Sequence, residues 1–167
     1  MQEPHPEPEP RQHPTEPGHR ERSAPPRRTD FRRFTAVTPR WNDNDVFGHV
    51  NNAEYYAYFD TAVMQFLVGE GVIAITGGAL GAVVAETGCR FLREILFTDA
   101  VTVGIRVEHI GRSSVRYRIG IFRNDDDVAA AVGHFVHVFI DRTGKRPVAI
   151  ADEARRVLSD LMLEDGG

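Results

Sequence analysis

The chain has 167 residues, a net charge of −4 and a single cysteine. That length suits one domain around one core, and the mild acidity gives no footing for nucleic-acid binding as the main activity. Lone Cys89 excludes an intramolecular disulfide and suits a reducing, cytoplasmic setting, while no apolar run approaches membrane-spanning length, so no membrane insertion is expected.

Residues 1–29 hold eight of the ten prolines, five acidic and five basic residues, and almost nothing apolar. Such a segment cannot bury enough surface to offset its ordering entropy, so it reads as a disordered Pro-rich tail. A partner-binding arm is the other reading. The tail has no apolar stretch for a secretory signal, and its acidic residues argue against a transit peptide. Because it is neutral, residues 30–165 carry the whole net charge and form the single domain.

In chain order, a first strand is expected over residues 34–41. A long helix follows over 52–68, with Tyr55, Tyr58, Phe59, Ala62, Val63, Phe66 and Leu67 spaced by threes and fours on one stripe. Asn51 suits the N-cap, Glu54 stands at the capping-box position, and Gly69 and Gly71 end the helix. Its length comes to roughly 25 Å. The period then changes to two. Strands are expected over 82–96, 101–108, 115–121 and 128–140, with turns at Gly111-Arg112-Ser113 and Asn124-Asp125-Asp126-Asp127. A short helix over 151–163 closes the chain, with Val157, Leu158, Leu161 and Met162 on one side. Cys89 reads as a small core residue. Short turns make neighbouring strands antiparallel, so this is an α+β fold with one long helix wrapped in a curved sheet of five or six strands.

The densest chemistry lies in front of the long helix, where residues 41–55 read Trp-Asn-Asp-Asn-Asp-Val-Phe-Gly-His-Val-Asn-Asn-Ala-Glu-Tyr. Three readings compete. Asp43, Asp45, Gly48 and Glu54 fall at positions 1, 3, 6 and 12 of a calcium loop, but Phe47 stands where an oxygen ligand is required. Asp43, Asp45 and Asn51 also suit turns and caps for local reasons alone, with His49 a packed ring. In the third reading a carboxylate beside free N–H groups at a helix start attacks, or activates water toward, a carbonyl. Gly48 would let the backbone approach that carbonyl, and His49 would hydrogen-bond the carboxylate or the substrate.

Asp43-x-Asp45-x-x-Gly48-His49-Val50-Asn51-Asn52-x-x-Tyr55 resembles the signature of the hotdog-fold acyl-CoA thioesterases of the 4-hydroxybenzoyl-CoA thioesterase-like group. Asp99-Ala-Val-Thr-Val, Gly111-Arg112-Ser113-Ser114 and Val138-Phe139-Ile140-Asp141 with Thr143-Gly144-x-x-Pro147 follow in that family's order. The resemblance covers roughly residues 33–160. It implies a hotdog fold and a homodimer or homotetramer with the site at the subunit interface. It further implies an acyl-CoA substrate, with CoA entering as part of that substrate and no separate cofactor or metal. Asp45 matches the aspartate that serves as nucleophile or general base, with His49 beside it and a backbone N–H near Asn51 or Asn52 on the carbonyl oxygen. In the related plant acyl-carrier thioesterases an Asn also contributes, and that position here is Phe47. Gly48, Tyr55, Arg112 and Ser113 are the residues assigned to substrate: Tyr55 toward the acyl pocket, Arg112 and Ser113 toward the CoA phosphates or pantetheine. Glu86 is a candidate second carboxylate, and the Gly77–Gly81 loop a candidate pocket wall. His134 and His137 fall on opposite faces of one strand, which does not suit shared metal ligation. The alternative from another class is a non-catalytic hotdog module binding an acyl-CoA or acyl-carrier ligand. A hotdog hydratase fits the motif less well.

Overall fold

The apolar stripe of the long helix decides the architecture. In the computed structural model, which describes residues 24–163, helix α1 runs Asn52–Gly69 and buries Tyr55, Tyr58, Phe59, Ala62, Val63, Phe66 and Leu67. These are the seven positions of the stripe, and they pack on one face of a single sheet. The Asn51 side chain accepts the Ala53 N–H at 2.9 Å and so caps the helix. The Glu54 carboxylate does not turn back to the cap; it lies 3.6 Å from the Arg40 guanidinium. Gly71, at φ +69°, carries the chain out of the helix.

Among the described residues the sheet has five strands: β1 Arg33–Val37, β2 Leu80–Phe91, β3 Val101–Ile110, β4 Ser114–Arg123 and β5 Ala131–Asp141. Their order is β1-β3-β4-β5-β2 and every pairing is antiparallel. With one long helix packed across it, this is a hotdog fold. The inner face carries Val103, Ile105, Val107, Tyr117, Ile119, Ile121, Phe135 and Phe139, all buried against α1 or the chain's end. At Gly133 the helix packs tightly on the sheet: an added Cβ would meet the Phe59 ring at 2.5 Å. Helix α2, Asp152–Ser159, closes the open side of β3, where Leu158 and Leu161 are buried and the Val107 N–H donates to Leu161 O.

Element boundaries moved where local geometry competes with periodicity. The first strand stops at Val37 rather than 41, because Pro39 cannot donate to a ladder and residues Trp41–Asp43 form a 3-10 turn. The second stops at Phe91 rather than 96; the Leu92 and Arg93 N–H groups both turn onto Ala130 O. Terminal helix α2 is shorter than 151–163, and Met162 stays partly exposed while forming an isolated bridge with Val107.

Residues 1–23 of the Pro-rich segment lie outside the described residues. Its last stretch is part of the fold. Ala129 N–H donates to Pro26 O, and Arg28 donates to Asp126 O, Asn124 O and Thr102 Oγ1. The Phe31 ring then fills a shelf on the outer sheet face that Gly104 and Gly120, cross-strand partners, leave open. Among the described residues no helix is long and apolar enough to cross a membrane.

Candidate active site

The loop in front of α1 is held by backbone bonds at three places. Asn44 and Val50 form a bridge, Val50 N–H donates to Ile95 O at 2.8 Å, and Asn51 N–H donates to Asp43 O at 2.8 Å. Between them the chain turns tightly. Asp45 and His49 are joined backbone to backbone, Phe47 N–H donates to Asp45 Oδ1 at 2.9 Å, and Gly48 sits at φ +88°. That angle lies where side-chain-bearing residues are strained, which accounts for glycine at the turn.

The two aspartates of this loop have different surroundings. Asp43 is 1 % exposed. Its carboxylate accepts the Arg40 N–H at 2.8 Å, the Arg40 Nε–H at 2.9 Å and the Tyr58 hydroxyl at 2.7 Å. Burial pushes its pKa up, but these donors together more than offset that and hold the carboxyl below its ordinary value. Asp43 therefore bolts the loop to the first turns of α1. Asp45 instead lines an open cleft of about 280 Å³ with His49, Val50, Asn52 and Tyr55. Its Oδ1 is fixed by the Phe47 N–H, while among the described residues Oδ2 accepts no hydrogen bond. The calcium reading finds no support in this geometry, since the Asp43 carboxylate is taken by Arg40 and Tyr58.

His49 Nδ1 stands 3.7 Å from Asp45 Oδ2, near enough for electrostatic contact and too far for a hydrogen bond. Its ring stacks on Phe47, centroids 6.2 Å apart. At the helix start the Asn51 N–H and side chain are both spent on structure, on Asp43 O and the Ala53 N–H. The Asn52 N–H has no backbone acceptor among the described residues, and Asn52 lines the cleft. It is the open donor at a helix N-terminus. Tyr55 is buried and meets Phe91 edge-on at 5.0 Å; burial pushes its hydroxyl up to about 12. Cys89 is half-buried, and burial pushes its thiol up to about 12 as well, which keeps it protonated at neutral pH.

The far wall of the cleft is Phe91, Leu92, Arg93 and Glu94. Sequence reasoning missed these residues, because only the fold of β2 back along β5 brings them to the loop. The carboxylate that shares the cleft with Asp45 is thus Glu94. Glu86 points elsewhere: it binds Arg116 at 3.0 Å and His134 at 2.9 Å on the outer sheet face. His137 lies on the inner face, 1 % exposed, and burial depresses its pKa to about 4.

Arg112 and Ser113 are not brought to the cleft within one chain. They lie in the β3–β4 turn, where Ser114 pairs with Val138, whereas the cleft strand end Phe91 pairs with Ala131. Those seven steps along β5 put the two ends about 23 Å apart. The 77–81 loop lies at that same distant end, where the Arg142 N–H donates to Ala79 O and the Arg142 guanidinium donates to Ala74 O and Ile75 O just before the loop. Among the described residues no three His, Cys, Asp or Glu side chains come together to hold a metal.

The chain has relatives among known proteins. The model of the thioesterase-like superfamily matches residues 39–158, from just before the loop through most of α2. The PA5185 protein of Pseudomonas aeruginosa strain PAO1 is similar in structure, with a TM-score of 0.80 and 40 % identity, over 83 % of this chain and 96 % of that one. A thioesterase of Thermus thermophilus, solved in complex with coenzyme A and Zn, is 32 % identical with a TM-score of 0.62, over 77 % of this chain and 98 % of that one. The uncharacterized protein YsmA of Bacillus subtilis (strain 168) is 23 % identical over 131 residues, covering 78 % of this chain and 88 % of that protein.

Proposed function

The chain belongs to the thioesterase-like superfamily and is a thioester hydrolase, and from that premise we propose that it cleaves acyl-CoA thioesters with Asp45 as the reacting carboxylate. The observation that carries this reading is the unengaged Asp45 Oδ2, open to the cleft at the start of α1, where the Asn52 N–H also has no backbone acceptor among the described residues. The bound coenzyme A of the Thermus relative supports the substrate class.

Asp45 Oδ2 either takes a proton from a water that attacks the thioester carbonyl carbon, or attacks that carbon itself to form an anhydride that water opens. In both routes the C–S bond breaks, the sulfur leaves as the CoA thiolate, and the acyl group ends as a carboxylate. Charge that develops on the carbonyl oxygen meets the Asn52 N–H and the positive end of the α1 dipole. Asn51 serves by capping the helix rather than by touching substrate. His49 orients Asp45 electrostatically, and Gly48 lets the turn close. Tyr55 forms the floor toward the acyl group.

A second copy of the chain completes this site. Strand β2 is an open edge of twelve residues on which Val83 and Val84 are nearly half exposed, and such an edge invites pairing. Antiparallel pairing of two β2 edges about a two-fold axis puts the Leu80 end of one protomer beside the Phe91 end of the other. Arg112, Ser113 and the 77–81 loop of one subunit would then flank Asp45 of its neighbour, in reach of the nucleotide end of CoA.

The test is thiol release from aromatic, short, medium and long acyl-CoAs by wild type and Asp45→Asn. Hydrolysis of one acyl class, reduced by about 10²-fold or more in the variant with its melting temperature kept, is expected. Undiminished turnover in a folded Asp45→Asn protein would remove Asp45 from the mechanism.

A further inference from the structure

The face of the sheet turned away from α1 carries an arrangement the hydrolytic site does not use. Arg106 on β3 pairs with Arg118 on β4, Arg118 with His134 on β5, and His134 with Gly88 on β2. Three basic side chains therefore form a row straight across the sheet, with Arg116 two residues from Arg118 along β4 and Arg90 two residues from Gly88 along β2. Arg90, Arg116, Arg118 and His134, with Glu108, line a concavity of about 220 Å³, and Gly88, having no side chain, leaves room for the His134 ring above it.

Its charges do not balance. Glu108 is the shared partner of Arg106, Arg118 and Arg116, at 3.4, 3.4 and 3.5 Å, none of them a short ion pair. Glu86 is already taken by Arg116 and His134. Arg90 has no carboxylate within 4.0 Å among the described residues, and the Nε of Arg106 is buried without an acceptor. Four guanidinium groups thus face two carboxylates, in a chain whose net charge is −4. A multi-oxygen dianion can answer several guanidinium forks at once.

We propose that this concavity is a second binding site, for a phosphate-bearing anion held by Arg90, Arg116 and Arg118. The sheet itself separates it from Asp45: Arg90 projects to the outer face, while the next residue, Phe91, lines the cleft. The anion is a free phosphate ester: pairing of the β2 edges closes that route to the cleft, and the nucleotide end of the thioester substrate lies toward Arg112 and Ser113 of the neighbouring subunit. The site does not depend on which thioester is hydrolysed, or on whether Asp45 does it.

The probe is inorganic pyrophosphate titrated into the full chain, against sodium chloride of equal ionic strength, followed by calorimetry and thermal melts. Saturable binding is expected, with a melting temperature raised by roughly 4 °C at tenfold excess over Kd. The Arg90→Gln/Arg118→Gln double variant should lose both effects. Glu108→Gln, which removes the competing carboxylate, should bind pyrophosphate several-fold more tightly, an outcome that a merely structural ion network would not give. No saturable heat, undiminished binding in the double variant, or unchanged affinity in Glu108→Gln would each overturn the site. Steady-state kinetics then test its independence of the thioester substrate. A raised KM with unchanged kcat in the double variant, with pyrophosphate competitive against acyl-CoA, would overturn the assignment to a separate ligand. An unchanged KM assigns it to a free phosphate ester.

Discussion

Replacing Tyr58 by Phe separates the roles of the two aspartates with the loss of one oxygen atom. The Tyr58 hydroxyl donates at 2.7 Å to Asp43, and the two residues are 4 % and 1 % exposed, so water cannot substitute freely for the lost bond. A hydrogen bond to a buried carboxylate contributes about 1.5–3 kcal/mol. For a folded region of this size that corresponds to a fall of roughly 4–10 °C in melting temperature. The substitution also removes one of the donors that hold the Asp43 pKa down, so that pKa rises. The sign follows from linkage. A carboxyl with a depressed folded pKa contributes stability above its unfolded value and loses it as pH falls through the folded one. The acid limb of the stability curve therefore moves to higher pH in Tyr58→Phe, and the gap to wild type is widest near neutrality and narrows once Asp43 is protonated in both proteins. Urea unfolding followed by far-ultraviolet circular dichroism, at neutral pH and in the carboxylate range, measures this. Thiol release should change less than about threefold, because Tyr58 touches Asp43 and not Asp45. Unfolding midpoints equal to wild type, or a loss of turnover comparable with Asp45→Asn, would refute the division of labour.

Buried His137, with its pKa depressed to about 4, binds its proton less readily folded than unfolded. Its contribution is full above the ordinary histidine pKa and declines as pH falls from about 6.5 toward 4, by an order of 3 kcal/mol; urea midpoints against pH should flatten across that window in His137→Phe. Gly133→Ala should destabilise by about 1–3 kcal/mol, since its Cβ would strike the Phe59 ring and the Gly88 carbonyl, and thermal melts read this directly. Val84→Lys on the open β2 edge should shift a wild-type dimer to monomer in sedimentation and lower turnover with it; an unchanged sedimentation coefficient would move the interface off β2.

Tyr55 through Leu67 announced both α1 and its buried stripe, because an amphipathic helix writes its packing face into local spacing. The alternating runs after residue 100 did the same for β3 and β4. The loop from Asp43 to Asn52 was equally legible as a place for chemistry, since its turns, cap and glycine angle are set by bonds a few residues apart. Distance along the chain is where legibility ended. Only packing decided that Asp43 is walled in by Tyr58 and Arg40 while Asp45 faces a cleft, for nothing in an Asp-x-Asp spacing says which carboxylate is desolvated. Only strand pairing brought Glu94 to Asp45, sent Glu86 to the outer face and set Arg112 and Ser113 at the far end of the sheet. The same pairing aligned Arg106, Arg118 and His134 from three separate strands into one row. Such placements depend on register, which is fixed by the whole buried face at once and leaves no local mark in the sequence.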